Sequence, residues 1–369
     1  MRHMTRTILF ITLIMLCWIN IPAQAFLLPD DQNLWLVMSQ QFMLPADLQH
    51  DDVQKQIDLD LRHPKYIQRL VQNARPYIYY VYQETQKKHM PAELALLPMI
   101  ESEYVPYGAS RAGAAGLWQL MPGTASDYGV KINSFYDGRR STTVSTKVAL
   151  SFLSYLYQQF DHNWLLALAA YDAGPGTVMA AMHYNEEHGK PTNFWALHLP
   201  KETQVYIPKL LALAAIIQHP SEYGIRLAPV PNKAVTSTVT INKQMPLQKI
   251  ATMANTSVST VRRLNPALRR AETPPHQSVT VVLPANKKTV FENKLKVQKI
   301  ISKTVATKKP IVAATAKTKS QPLSPNTYVV KSGDSLNKIA ERHHTTIAHL
   351  MIENHLKTSV LQMGQHLQI

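Results

Sequence analysis

ALLPMIES (residues 95–102), followed by YGASRAGAAGLWQLMP (residues 107–122), is the stretch whose reading decides the fold. After Pro91, Leu94, Leu97 and Glu101 recur at helical spacing, so Glu101 projects from an apolar face rather than a solvated one. Pro106 and Gly108 end the helix soon afterwards, which sets the carboxylate at the negative end of the backbone dipole. Desolvation and dipole both disfavour the charged form and predict a raised pKa, the property a general acid needs near neutral pH. From spacing alone, an exposed helix-end glutamate fits equally well. Glu103, two residues on, points away from Glu101 and is expected to be solvated.

In the glycine-rich segment that follows, Gly108, Gly113 and Gly116 allow close approach of the backbone to a ligand, while Trp118, Gln119 and Met121 offer stacking, hydrogen bonding and apolar contact. Further on, AAYDAGPG (residues 169–176) closes a helix with a glycine turn. The surrounding pattern is helical from about Phe26 to about Ala228. Pro64 opens a long segment with a bend at Pro76, and helices are expected over residues 144–160, 164–171 and 207–218. Tyr77, Tyr80 and Tyr82 are expected as packing residues.

The chain has 369 residues, enough for two or three domains, and its 17% charged and 45% apolar content is ordinary for globular protein. The net charge of +15 raises nucleic acid as a partner. The basic excess lies in residues 234–326, however, and the large helical part is nearly neutral, which argues against a nucleic-acid-binding fold. Residues 1–25 read as a signal peptide: Arg2 and Arg6, an apolar run from Ile8 to Ile21, and the cleavage pattern Ala23-Gln24-Ala25. The only cysteine, Cys17, lies in that segment, so the processed chain has no thiol for disulfides or metal. His183 and His188 do not share a helix face and no HExxH is present, so no metal site is expected; neither a phosphate-binding glycine loop nor a GxSxG elbow occurs.

An internal repeat lies in the second half. LQKIATMANTSVSTVRRLN (residues 247–265) aligns without a gap with LNKIAERHHTTIAHLMIEN (residues 336–354), pairing Leu247 with Leu336, Ile250 with Ile339 and Asn265 with Asn354. With Tyr328-Val329-Val330 before the turn Ser332-Gly333-Asp334 and a strand near Leu367, each copy is expected to be a small βααβ unit. Between the copies, ten lysines against one acid, Glu292, make residues 287–326 a Lys-rich flexible linker.

The motifs ALLPMIES, GLWQLMP (residues 116–122), AAYDAGPG and ETQVYIPK (residues 202–209) resemble the soluble lytic transglycosylase domain, and YVVKSGDSLNKIA (residues 328–340) resembles a LysM module. The resemblance covers roughly residues 40–286 and 327–369. It implies a mainly α, lysozyme-like catalytic domain over 26–233, a degenerate LysM-like module over 234–286 and a LysM module over 327–369. It also implies Glu101 as the catalytic residue, with Ser110, Gln119, Met121, Tyr171, Asp172 and Tyr206 lining the substrate groove.

The expected activity is peptidoglycan cleavage at the MurNAc–GlcNAc β-1,4 bond with formation of 1,6-anhydro ends. The expected enzyme is an exported one of the periplasm or cell envelope, possessing no cofactor. Glycan strands are the expected partner, with a GlcNAc-containing glycan at the LysM module and peripheral contact with membrane or anionic wall polymers. One position departs from the family, which usually has Asn where this chain has Asp172. A second carboxylate leaves two alternatives open: a muramidase that hydrolyses the same bond, or a non-catalytic wall-binding protein.

Overall fold

The computed structural model of the chain describes residues 32–45, 47–307, 327–356 and 360–369. The expected signal segment and the later part of the expected linker lie outside these residues. The chain divides into two compact units, Met1–Lys303 and Thr304–Ile369.

The first unit begins with helices α1 (Leu34–Ser39), α2 (Asp51–Leu61), α3 (Pro64–Ala74) and α4 (Ile78–Lys87). Proline sets two of these boundaries. Pro64 opens α3, where its missing N–H costs nothing, and Pro76 falls in the break before α4. A 3₁₀ turn (Ala92–Leu96) leads into α5 (Leu97–Ser102), where sequence spacing predicts one continuous helix. The interruption comes from Pro98. Without an N–H it cannot bond to the Leu94 carbonyl, which instead accepts from Leu97 N–H in the tighter turn.

Next come α6 (Pro122–Asp127), α7 (Thr142–Gln159), α8 (Trp164–Ala173), α9 (Pro175–Glu187) and α10 (Lys201–Gln218). Asn163 caps α8, its side chain accepting from Leu166 N–H at 3.2 Å. Residues 165–170 are all buried, so α8 is apolar all round, as expected of a helix at the centre of a bundle. It packs against α7, α9 and α10. The resulting core includes Trp35, Tyr82, Leu97, Trp118 and Ile207.

The same unit contains the first repeat copy: β1 (Thr236–Ile241), α11 (Leu247–Met253), α12 (Val258–Leu264) and β2 (Val279–Pro284), with β1 antiparallel to β2 and Val239 opposite Val281. Beyond β2 the structure differs from the expected linker, since the chain continues as α13 (Lys288–Thr307). Phe291 is fully buried in the repeat's core and Leu295, one turn on, packs beside it. This apolar pair anchors a segment whose composition alone reads as unstructured.

The second unit holds the other copy: β3 (Thr327–Val329), α14 (Leu336–Arg342), α15 (Ile347–Glu353) and β4 (His366–Gln368), with β3 antiparallel to β4. Val330, Leu336, Ile339, Leu350 and Leu367 form its core. Asp334 caps the opening turn by accepting from Lys331 N–H and the Tyr328 hydroxyl, each at 2.8 Å. The paired asparagines of the repeat do the same job in both copies. Asn265 accepts from Val282 N–H at 2.7 Å and donates to the Val261 and Val282 carbonyls; Asn354 accepts from Gln368 N–H at 2.6 Å and donates to the Leu350 and Gln368 carbonyls. Each ties the second helix to the closing strand. The architecture is mainly α with two small βααβ units, as the sequence predicts.

Candidate active site

Glu101 sits one residue before the end of α5. That end is held firmly. Glu103 and Tyr104 both adopt left-handed backbone, with φ of 52° and 58°, a conformation costing about 1–2 kcal/mol per non-glycine residue. Tyr104 offsets the cost by burying its ring and donating its hydroxyl to the Ala95 carbonyl at 2.7 Å. Glu103 is not simply solvated as expected. Arg69 from α3 grips its carboxylate through Nε at 2.8 Å and Nη2 at 3.2 Å, and Asn73 donates to its carbonyl at 3.0 Å.

Three further elements converge on Glu101. From α10, Tyr206 donates its hydroxyl to Glu101 Oε1 at 2.5 Å. One turn earlier on the same face, Thr203 donates to Asp172 Oδ2 at 2.6 Å, joining α10 to the end of α8. Also from the end of α8, the Tyr171 hydroxyl donates to the Trp118 carbonyl at 2.8 Å. The neighbouring Leu117 carbonyl accepts from Ser102 Oγ at 2.8 Å. Two hydroxyls thus clamp the glycine-rich loop against α5 and α8.

Burial pushes the Glu101 carboxyl up to about 8; the Tyr206 hydrogen bond works against that shift, and the charges of Asp172 and Glu202 add to it. Asp172 is raised too, mainly by burial, with the Thr203 bond opposing. Burial holds Tyr171 and Tyr206 well above the phenol range, so both remain donors. The arrangement keeps one carboxylic acid protonated at neutral pH with a hydroxyl bound to one of its oxygens.

The other residues expected in the groove are less closely engaged. Gln119, at φ 42°, donates from Nε2 to the Gly116 carbonyl at 2.8 Å. Met121 is exposed beside the loop. Ser110 is exposed, and its Oγ accepts from Ala114 N–H at 3.1 Å, which shapes the loop tip. Trp118, offered by sequence as a stacking surface, is instead fully buried and donates from Nε1 to Thr146 Oγ1 at 3.0 Å. It is a pillar under the loop.

Some contributors were not visible in the sequence. The buried ion pair of Arg139 and Asp137, at 2.9 Å, holds the loop from below, with Arg139 Nη1 donating to the Gly113 carbonyl at 2.6 Å. Gly116 has φ 85°, and a Cβ there would fall 1.9 Å from the Arg139 carbonyl oxygen, so only glycine fits. On α7, Phe152 contacts Tyr171 with ring centroids 5.7 Å apart, and the exposed rings of Tyr155 and Tyr128 lie beyond it. Aromatic residues three apart on one helix were the available signal. A cavity of about 750 Å³ between α2, α3 and α10 reaches Ile100 and Lys209, but Glu101 is not among its lining residues. Among the described residues, no cluster of His, Cys, Asp and Glu is arranged to hold a metal ion.

A desolvated acid at a helix end, facing a tyrosine and bordered by a glycine-rich loop, accompanies a family match on the same segment. Residues 79–194 match the Transglycosylase SLT domain, which makes this chain an enzyme of the lytic transglycosylase class. Residues 235–300 match the LysM-like domain of lytic transglycosylase MltD, and residues 328–369 match the LysM domain. Membrane-bound lytic murein transglycosylase D of Escherichia coli (strain K12) is 34% identical over 339 residues, covering 92% of this chain and 73% of that protein. The chain belongs to that family. The soluble lytic murein transglycosylase of Salmonella typhimurium is 36% identical over 124 residues, covering 32% of this chain and 19% of that protein. The solved 70 kDa soluble lytic transglycosylase of Escherichia coli aligns at 27% identity with a TM-score of 0.31, covering 41% of this chain and 25% of that one.

Proposed function

We propose that the chain cleaves the β-1,4 bond between N-acetylmuramic acid and N-acetylglucosamine in peptidoglycan strands, with Glu101 as both acid and base and 1,6-anhydro ends as product. The observation that carries this reading is the Glu101 carboxyl, burial-shifted to about 8 and held by Tyr206 at 2.5 Å. With Tyr206 bound to Oε1, the acidic proton resides on Oε2. Glu101 donates it to the glycosidic oxygen as the C1–O bond breaks, and the substrate's 2-acetamido group supports the cation at C1. The resulting Glu101 carboxylate, still accepting from Tyr206, then takes the proton of the muramic 6-hydroxyl as O6 bonds to C1. No water is consumed, and the acid is regenerated.

A hydrolase needs a second carboxylate to activate water or attack C1. The candidate for that role, Asp172, has one oxygen committed to Thr203. This supports cyclisation over the muramidase alternative, while a raised acid pKa supports an enzyme over a passive wall binder. Gln119, Tyr171 and Met121 border the proposed groove, with Ser110 at its loop tip, and the exposed faces of Tyr155 and Tyr128 extend it as sugar-stacking surfaces. The LysM copy over 327–369 is proposed to hold GlcNAc-containing glycan and raise the local substrate concentration.

We also propose that residues 1–25 export the chain to the periplasm and are removed. Among the described residues, no helix is long and apolar enough to cross a membrane. Digestion of purified sacculi followed by mass spectrometry tests the reaction. Fragments lighter by one water than their hydrated counterparts support cyclisation; fully hydrated ends make the enzyme a muramidase, and intact sacculi make the protein a binder.

A further inference from the structure

The two repeat copies differ in one respect that matters to the active site. From the helix-ending asparagine to its partner on the closing strand is 17 positions in the first copy and 14 in the second, so the first copy's loop is three residues longer. That loop is bonded to the catalytic body. The Ala267 carbonyl accepts from Asp137 N–H at 2.9 Å, and Arg269 N–H donates to the Phe135 carbonyl at 2.8 Å. Leu268 pairs with Tyr136 in an antiparallel bridge. Arg269 Nη1 and Arg270 Nε donate to the Asn133 and Ser134 carbonyls, both at 3.0 Å.

Packing is reciprocal as well. Leu264 and Val282 of the copy belong to the core of the catalytic body, and Tyr136 of the body packs into the core of the copy. The residues so held lead straight to the substrate loop. Asp137 anchors Arg139, and Arg139 bonds to the carbonyls of Gly113 and Leu120, while its own carbonyl lies directly beneath Gly116.

We infer that the first LysM-like copy is a brace for the catalytic loop, positioning residues 113–120 through Asp137 and Arg139, rather than a second glycan-gripping module. The inference rests on the proposed function only for its kinetic consequence. A buried guanidinium that satisfies two loop carbonyls fixes backbone position far better than surface packing does. The brace acts on the geometry around Gln119 and Glu101, and so on turnover rather than on attachment to the wall. Arg139 and Asp137 are positioning residues, and Arg269 and Arg270 position them in turn.

The test uses the full chain with the double substitution Arg269→Ala and Arg270→Ala, both at exposed side chains, and separately Arg139→Lys and Arg139→Ala. Three quantities are read: kcat and KM on soluble glycan strands, binding to sacculi, and amide hydrogen exchange. The double variant is expected to lose about tenfold in kcat, within the hundredfold that ~1 Å of misplacement can cost, with KM and sacculus binding unchanged. Amides 113–120 should exchange faster. Arg139→Lys should recover part of what Arg139→Ala loses. Unchanged exchange over 113–120 both in the double variant and in Arg269→Pro, which also removes the N–H donated to the Phe135 carbonyl, overturns the brace, as does lost sacculus binding at constant kcat, which would make the copy a glycan binder. Exchange is read without turnover, so the brace is judged even if the wild-type chain proves to be a hydrolase or inert.

Discussion

The Tyr206 hydroxyl meets Glu101 Oε1 at 2.5 Å, and so joins the second turn of α10 to the last turn of α5. This bond opposes the upward push of burial on Glu101, because a hydroxyl donor favours the carboxylate. The same contact serves both halves of the proposed reaction: it orients the acid and steadies the base. Its removal by Tyr206→Phe should slow turnover at neutral pH by about one to two orders of magnitude. The descending limb of kcat against pH, set near 8 by Glu101, should move to higher pH. A limb that stays in place or moves down would detach that ionisation from Glu101.

Glu101→Gln should reduce cleavage at least about a thousandfold while raising stability. The folded carboxyl sits at about 8 against an ordinary 4.5, so between these values the folded state binds the extra proton. Stability of the wild type therefore falls as pH rises through that window. Glutamine carries no such penalty, and its advantage should reach about 3 kcal/mol at pH 7 and vanish near pH 4. Thermal unfolding at the two pH values measures it.

Asp172→Asn separates the two readings of the second carboxylate. The amide oxygen can still accept from Thr203, so the α8–α10 tie survives. Burial remains the main influence on Glu101, but the repulsion from Asp172 is lost, so the Glu101 pKa and the alkaline limb should move down. Products should remain 1,6-anhydro. Abolished activity in this variant, seen by fragment mass analysis, would assign Asp172 a direct catalytic part.

Gly116→Ala places a methyl against the Arg139 carbonyl in a left-handed backbone position. The expected cost is about 3 kcal/mol or more, with activity lost together with loop geometry. Chemical denaturation paired with turnover would show it. An alanine variant as stable as wild type would mean the loop accommodates the methyl by shifting.

How far the chain could be read in advance depends on the range of the interactions. Glu101 was legible because its apolar spacing with Leu94 and Leu97 is local, and the repeat because Leu247, Ile250 and Asn265 recur in register as Leu336, Ile339 and Asn354. The interruption at Pro98 was missed, because the apolar period of Leu94 and Leu97 around it reads as one continuous helix. Arg139 was not legible. Its partners at Gly113 and Leu120 are backbone carbonyls 26 and 19 residues away, and a carbonyl leaves no mark in a sequence. Trp118 looked like a sugar platform because residue type does not reveal which face of a loop is buried. The lysines after residue 287 concealed α13, whose order depends on Phe291 finding a core built by residues far upstream.

The left-handed pair Glu103 and Tyr104, fastened by Arg69, Asn73 and the Ala95 carbonyl, has a protective consequence. A frayed helix end would let water reach Glu101 and return its acidity to that of an ordinary side chain, which is ionised at neutral pH. In the proposed mechanism, the proton needed for bond breaking would already be gone. On the proposed mechanism, loosening this helix end should therefore cost the enzyme its acid before it costs the fold.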